Sequence, residues 1–577
     1  MKNTFALLAA LSVLGGCQSF SEISSPDAPP AEDSQAVASE PAAEQPSGSF
    51  SEDTLYSLLV AELAGQRNRF DLAMSNYSEQ ARVTRDPAVA ERAFRIAEYL
   101  GAQEEARETA LIWAASAPDS LDAQRAAAIQ LARSGRYDES LEYMEKVLQR
   151  QGSTHFDFLA LSAADTDPQT RSAVLQSFDR LLARHPDNGQ LLFAKALLLQ
   201  QDDRADEALA LLASHPASRR DVAPLLLRVR LLQNLERSEE ALPLVERGIK
   251  QHPDDKRLLL ARARLLVELQ RMDEAKSAFS GLLQRYPEDD DLRFSLALVC
   301  LEAESWPEAV YYLQELIERR AHIDASRYNL GRAYEELKEP DNALEQYAQV
   351  GPGSEFLPAQ VRQSQLLFQL ARADEARQRL RQAREEQPDY AMQLYLIEAE
   401  ALVERKQKDT AWALLQEALE QYPNEINLLY SRAMLAEQRG ELALMERDLR
   451  YIIDQQPDNA AALNALGYTL ADRTTRYQEA LELIEMAYQL DPEDPAIVDS
   501  LGWVHYRLGN KDKAEDLLRD AYARFPDHEV AAHLGEVLWH NGKQDEARRV
   551  WKQALEQTPD SSVLRSTLQR LTGSEAP

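Results

Sequence analysis

One spacing constrains this chain more than any other feature. Pro388, Pro423, Pro457, Pro492, Pro526 and Pro559 stand 35, 34, 35, 34 and 33 residues apart. Pro118, Pro186, Pro253 and Pro287 extend the frame toward the N-terminus, with the first two gaps close to twice the period. A period of about 34 residues makes each unit a supersecondary element that buries its apolar face only against its neighbours, so the units must stack into a solenoid. Size points the same way, because 577 residues exceed the roughly 250–300 at which a single core stops growing.

The elements are helices. Only 20 residues are Gly, while Ala, Leu, Glu, Gln and Arg dominate, and these lose least entropy on entering a helix. Each unit divides into two amphipathic helices, A and B, with small residues where helices must approach closely. Leu501 and Gly502 fall in helix A, Gly509 marks the turn, Ala514 and Ala521 fall in helix B, and Pro526 ends it. Leu534, Gly535, Gly542, Ala547, Trp551, Ala554 and Pro559 repeat those offsets; Leu330, Gly331, Tyr334, Ala343 and Tyr347 do so earlier. Gly and Ala admit close contact while the larger apolar positions fill the space between hairpins, so Trp551 is expected in the core.

These residues resemble the tetratricopeptide repeat pattern, L-G-x₂-Y, A-x₃-F, P. The resemblance implies an all-α, right-handed superhelical solenoid of about 14–15 helical hairpins. Regular repeats are expected over 222–561 and degenerate hairpins over 51–221, where Gly101, Ala106, Pro118, Gly135 and Tyr137 keep the register. Residues 562–577 are read as a capping helix and tail. His215-Pro216 and Gly351-Pro352-Gly353 should each shorten a helix B.

Residues 1–16 read as a signal peptide: Lys2, an apolar stretch from Phe5 to Leu14, then Gly15 and Gly16 before Cys17. The stretch is about half the roughly 20 residues that span a bilayer. Leu14-Gly15-Gly16-Cys17 resembles the lipobox of bacterial lipoproteins, which implies acylation of Cys17 and a membrane anchor. Gln18 stands where an Asp would retain such a protein at the inner membrane, so the resemblance implies the outer membrane, facing the periplasm. The segment 17–50 then reads as a lipidated cysteine and a disordered linker, with five prolines, six acidic residues and no Lys or Arg between 18 and 49.

A net charge of −32 repels phosphate backbones, so no nucleic-acid partner is expected. Cys300, between Val299 and Leu301, is expected as a small buried apolar residue. Nine histidines occur without a His-Glu-x-x-His, Cys-x-x-Cys, Gly-x-Ser-x-Gly or phosphate-binding glycine loop. His185, His215, His252 and His528 sit beside proline turns; His533 and His540 share a helix face but suggest no third metal ligand. Carboxylates are too common for any pair to signal acid–base work. The expectation is no catalytic residue, no cofactor and no metal, and the repeat leaves only about sixteen residues after it for a further domain.

Binding is the remaining class. Counting from the small residue of helix A, the inward positions of the last three units hold Tyr468, Asp472, Trp503, Tyr506, Arg507, Trp539 and His540. Aromatic residues there serve equally as peptide anchors or as cover for inter-repeat core. One tetratricopeptide subclass grips a terminal carboxylate with Lys and Asn at set helix-A positions. Here those positions hold Asp499 with Trp503, Asn464 with Tyr468, and Tyr328 with Arg332, so an extended segment or a folded surface is the expected ligand.

The whole arrangement resembles the outer-membrane tetratricopeptide lipoproteins of pseudomonads that partner a carboxyl-terminal processing protease. That resemblance implies an adaptor joining a periplasmic serine protease to its substrates, among them peptidoglycan hydrolases, with the catalytic serine on the partner. The alternative is a scaffold for assembling an envelope machine for pilus, exopolysaccharide or outer-membrane protein export.

Overall fold

The computed structural model describes residues 50–151, 156–215 and 221–576. The signal peptide, Cys17, the linker up to 49 and Pro216 lie outside them. Among the described residues all regular structure is helical, with 31 α-helices, one three-residue 3₁₀ turn and no strand. Two compact units divide the chain, Met1–Ala321 and His322–Pro577. Among its described residues the first stacks eight helix A/helix B hairpins, from Glu52–Gln66 with Phe70–Thr84 to Asp290–Glu302 with Trp306–Glu318. The second stacks seven, ending at His528–His540 with Gln544–Gln557, and the single helix Ser562–Thr572 closes it. Among the described residues no helix is long and apolar enough to cross a membrane.

The recurring proline works through its neighbours. A proline ring excludes helical backbone at the residue before it. His252, Tyr286, Gln387 and Tyr422 accordingly end helix B with φ between −129° and −127° and ψ between 67° and 72°. Two residues after the proline, Asn188, Asp255, Asp289, Asn459, Asp494 or Ser561 accepts a main-chain N–H and caps the next helix A. Between proline and cap lies an acidic residue. Asp119, Asp254, Glu288 and Glu493 pair with Arg150, Arg285, Arg319 and Arg524, each 31 residues on, at 2.6, 3.3, 2.7 and 2.9 Å. These carboxylates are highly exposed, so each pair contributes about 0–1 kcal/mol and marks register more than it stabilises.

Inside each hairpin a small residue of helix A receives a large one from helix B. A Cβ on Gly331 would lie 2.5 Å from Tyr347, one on Gly502 2.7 Å from Leu518, and one on Gly535 2.0 Å from Trp551. Tyr347, Leu518 and Trp551 are each 0% exposed. The turn between the helices is left-handed. Gly440, Gly509 and Gly542 supply it in some hairpins, but Asp203, Glu236, Gln270, Glu304, Lys338, Ala371 and Lys406 hold the same conformation at φ 54–63°.

Two helices B are short, as the interruptions predict: Ala205–Ser214 and Pro340–Ala348, with ten and nine residues. After the second, the Gly351 N–H donates to Asp324 at 2.7 Å. The missing turn opens a cavity of about 850 Å³ lined by amides, including Gln360, Gln363, Gln378 and Gln382. Cys300 is 0% exposed, and burial, with Glu308 beside it, pushes its thiol up to about 12, so it is inert as a nucleophile.

Candidate protein-binding face

The helices A of the last three hairpins, Ala460–Arg473, Pro495–Arg507 and His528–His540, touch in succession. The residue after each small position, and those four and five further on, therefore meet across the stack. Tyr468 donates or accepts at His533 Nε2, 3.3 Å away, and its ring lies 5.8 Å from the imidazole. Trp503 stacks on His533 at 4.2 Å and donates its Nε1–H to Asp472 at 3.3 Å. Only 5% of Trp503 is exposed, so its ring covers the inter-repeat contact and is not free to anchor a ligand. Arg507 donates to the Tyr477 hydroxyl at 2.7 Å and to the Asp472 carbonyl at 3.2 Å.

Tyr506 and His540 make the outer edge. The Tyr506 hydroxyl lies 3.3 Å from Glu536 and 3.1 Å from His540 Nδ1. Burial, then the charge of Glu536, pushes that hydroxyl up to about 12. Trp539 is half-buried between Trp551, at 5.8 Å, and the Arg548 guanidinium, at 5.3 Å; His540 is exposed. Of the seven inward positions, Tyr468, Asp472, Tyr506, Arg507 and Trp539 are half-buried, so each keeps an edge for a ligand.

Sequence reasoning missed the centre of this face. His533 is buried, and its Nδ1 sits 2.8 and 3.1 Å from the two oxygens of buried Asp499. Burial alone would push the imidazole down, but Asp499, helped by Asp472 and Glu536, outweighs it and the net direction is up. A neutral Tyr468 completes the chain, since burial, Asp472 and Asp499 hold its hydroxyl far above the ordinary range. Beside this group opens a cavity of about 410 Å³ lined by Asn464, Tyr468, Asp499, Phe525, Asp527 and Glu529. Asn464 Oδ1 is shielded from solvent there without a hydrogen-bond partner. The signal for the pair was the repeat itself, because Asp499 and His533 are 34 residues apart on consecutive helices A.

His533 and His540 thus part company: one is locked in the wall, the other faces outward. The proline-turn histidines end helices or start one, as with His252 closing Ser238–Gln251 and His528 opening its helix beside Ser561 at 3.2 Å. Among the described residues no group of three His, Cys, Asp or Glu side chains is arranged to hold a metal. What the face offers is hydrogen-bonding edges and aromatic rim on a rigid wall, the equipment for holding a polypeptide.

Models of the tetratricopeptide repeat match residues 226–290, 260–326, 361–426, 430–495 and 500–562, and another matches 325–351. A TPR repeat-containing protein of Pseudomonas aeruginosa is 65% identical over all 577 residues, covering 98% of that protein. Human tetratricopeptide repeat protein 7A is 30% identical over 30% of this chain and 16% of its own. Among solved structures, the Cut9–Hcn1 assembly of the APC/C aligns over 84% of this chain and 97% of that one, at 14% identity and a TM-score of 0.28.

Proposed function

The chain belongs to the tetratricopeptide repeat family, and from that premise we propose that it is a lipid-anchored adaptor of the outer membrane that holds a periplasmic carboxyl-terminal processing protease together with its substrates, peptidoglycan hydrolases. Confining both on one scaffold raises their effective concentration, so proteolysis accelerates while the chain itself cuts nothing. Acylated Cys17 supplies the anchor and the linker the reach.

The observation that carries this reading is an apolar face on the first hairpins that nothing covers among the described residues. Leu55, Leu59 and Leu63 follow one another at helical spacing on Glu52–Gln66 and are 49%, 62% and 47% exposed; Tyr56, Leu72, Val83, Tyr99 and Leu100 are exposed nearby. Single exposed apolar residues are ordinary, but a contiguous patch marks a protein contact. The irregular N-terminal hairpins thus dock the protease, and the regular repeats hold substrate.

The test is capture from an envelope extract on the full chain and on a Leu55→Ser/Leu59→Ser/Leu63→Ser variant, read by mass spectrometry. A serine protease recovered by the wild type and lost by the variant supports the adaptor. Equal recovery by both refutes the docking face, and recovery of pilus or export components without a protease favours an assembly scaffold.

A further inference from the structure

Two neighbouring helices A run against the charge of the whole chain. Val222–Asn234 carries Arg228 and Arg230 and no carboxylate; Lys256–Glu268 carries Lys256, Arg257, Arg262 and Arg264 against Glu268 alone. Most of these cations are engaged. Lys256 reaches Asp289 at 2.5 Å, Arg257 reaches Asp255 at 2.8 Å, Arg262 lies 3.8 Å from Glu246, and Arg228 also has a partner. Arg230 and Arg264 face no carboxylate among the described residues. On other helices A, Arg293, Arg362 and Arg432 each meet one, at 3.2, 2.8 and 2.7 Å.

The two free arginines are one repeat apart. Each directly follows the buried inward residue of its helix, Val229 or Ala263, in the register that Tyr468 and Trp503 hold in later hairpins. Arg230 is exposed and Arg264 half-buried, with its Nε shielded from solvent and without a hydrogen-bond partner. Burial pulls the Arg264 guanidinium below its usual value. A desolvated guanidinium without a counter-charge costs stability, and its planar fork is shaped for a carboxylate.

We propose that Arg230 and Arg264 form a two-point grip for an extended acidic segment of a partner polypeptide. The two helices touch, and packed helices lie ~8–10 Å apart. At ~3.3 Å per residue, an extended segment reaches both with carboxylates three residues apart. The grip rests on the scaffold reading only in taking a polypeptide. No protease enters its test, so its failure leaves the adaptor standing.

The test is fluorescence anisotropy of a labelled twelve-residue peptide with Glu at every third position among Ser and Gly, titrated with the full chain at low salt. Binding of this peptide, none by its Gln counterpart, and a loss of about tenfold or more in Arg230→Gln/Arg264→Gln support the grip. Arg264→Gln should melt no lower than wild type, because it removes an unpaired charge, whereas a purely structural arginine would lower the melting temperature. Arg230→Gln, at an exposed position, tests the grip independently of folding. No binding by the Glu peptide, equal binding by the double variant, or an equal loss from exposed Arg549→Gln on the last helix B would overturn it.

Discussion

Gly535→Ala puts the hairpin geometry to a quantitative test. The added Cβ would lie 2.0 Å from Trp551 Nε1 and 2.3 Å from Cε2, in a place where the indole is 0% exposed. Ordinary contact is about 3.5–4.0 Å, so helix Gln544–Gln557 must retreat by roughly 1.5 Å. Overpacking of this kind costs ~1–3 kcal/mol, while replacing a mid-helix glycine by alanine returns ~0.5–1 kcal/mol. The net is a loss of about 1–2 kcal/mol, confined to the last hairpins because each repeat contacts only its neighbours. Hydrogen exchange of His528–His540 and Ser562–Thr572, with tryptophan fluorescence in urea, reads it. In a Trp551→Ala background the obstacle is gone, whereas a leucine would still crowd the site as Leu518 does at Gly502, and the same Gly535→Ala change should stabilise by ~0.5–1 kcal/mol. A loss of equal size in both backgrounds would refute the account in which helix A glycine exists to receive the helix B ring.

Three further outcomes follow from named groups. Ala371→Gly, at φ 59° in a hairpin turn, should raise stability by ~0.5–1 kcal/mol in chemical denaturation, because L residues are strained there. His533 has its folded pKa raised above the ordinary 6.5, so its pairing with Asp499 stabilises fully below that value and is lost as pH rises through the folded pKa. Protection of the last three helices A, taken relative to the intrinsic base-catalysed exchange rate, should therefore fall as pH rises above 6.5, and Asp499→Asn should abolish that dependence. Glu515 has its carboxyl lowered to about 2: burial would raise it, but Lys543, Asn541 and Arg519 prevail. Its contribution is present above the ordinary value and lost as pH falls from 4.5 toward 2; Glu515→Gln should flatten that limb of the pH–stability curve.

The hairpin frame was legible because its signals are local. Proline fixes the residue before it, the cap stands two residues later, and the glycine notch is set by one helix pair, so periodicity alone located Gly331, Gly502, Gly535 and Trp551. The turns were only half legible: Gln270, Lys338 and Ala371 take the left-handed conformation without glycine, since the flanking helices impose it. On the binding face, spacing placed Tyr468, Trp503 and Tyr506 on one wall but could not tell a ring that covers the stack from one that meets solvent. That distinction depends on side chains a repeat away, as with Trp503 under His533. Which arginines lack a carboxylate depends on the same detail of packing: Arg293 meets Asp290 on its own helix and Glu315 on the helix B of its hairpin, and Arg264 meets none among the described residues.

The proposed adaptor holds its partners and does not cut. Purifying the chain with a carboxyl-terminal processing protease and a peptidoglycan hydrolase, and following the hydrolase over time, decides the matter. The account predicts no loss of hydrolase with the chain alone and an acceleration of at least about tenfold when the chain joins the protease, passing through a maximum and falling as excess scaffold separates the partners. Cleavage by the chain without the protease, or a protease rate indifferent to the chain, would contradict it.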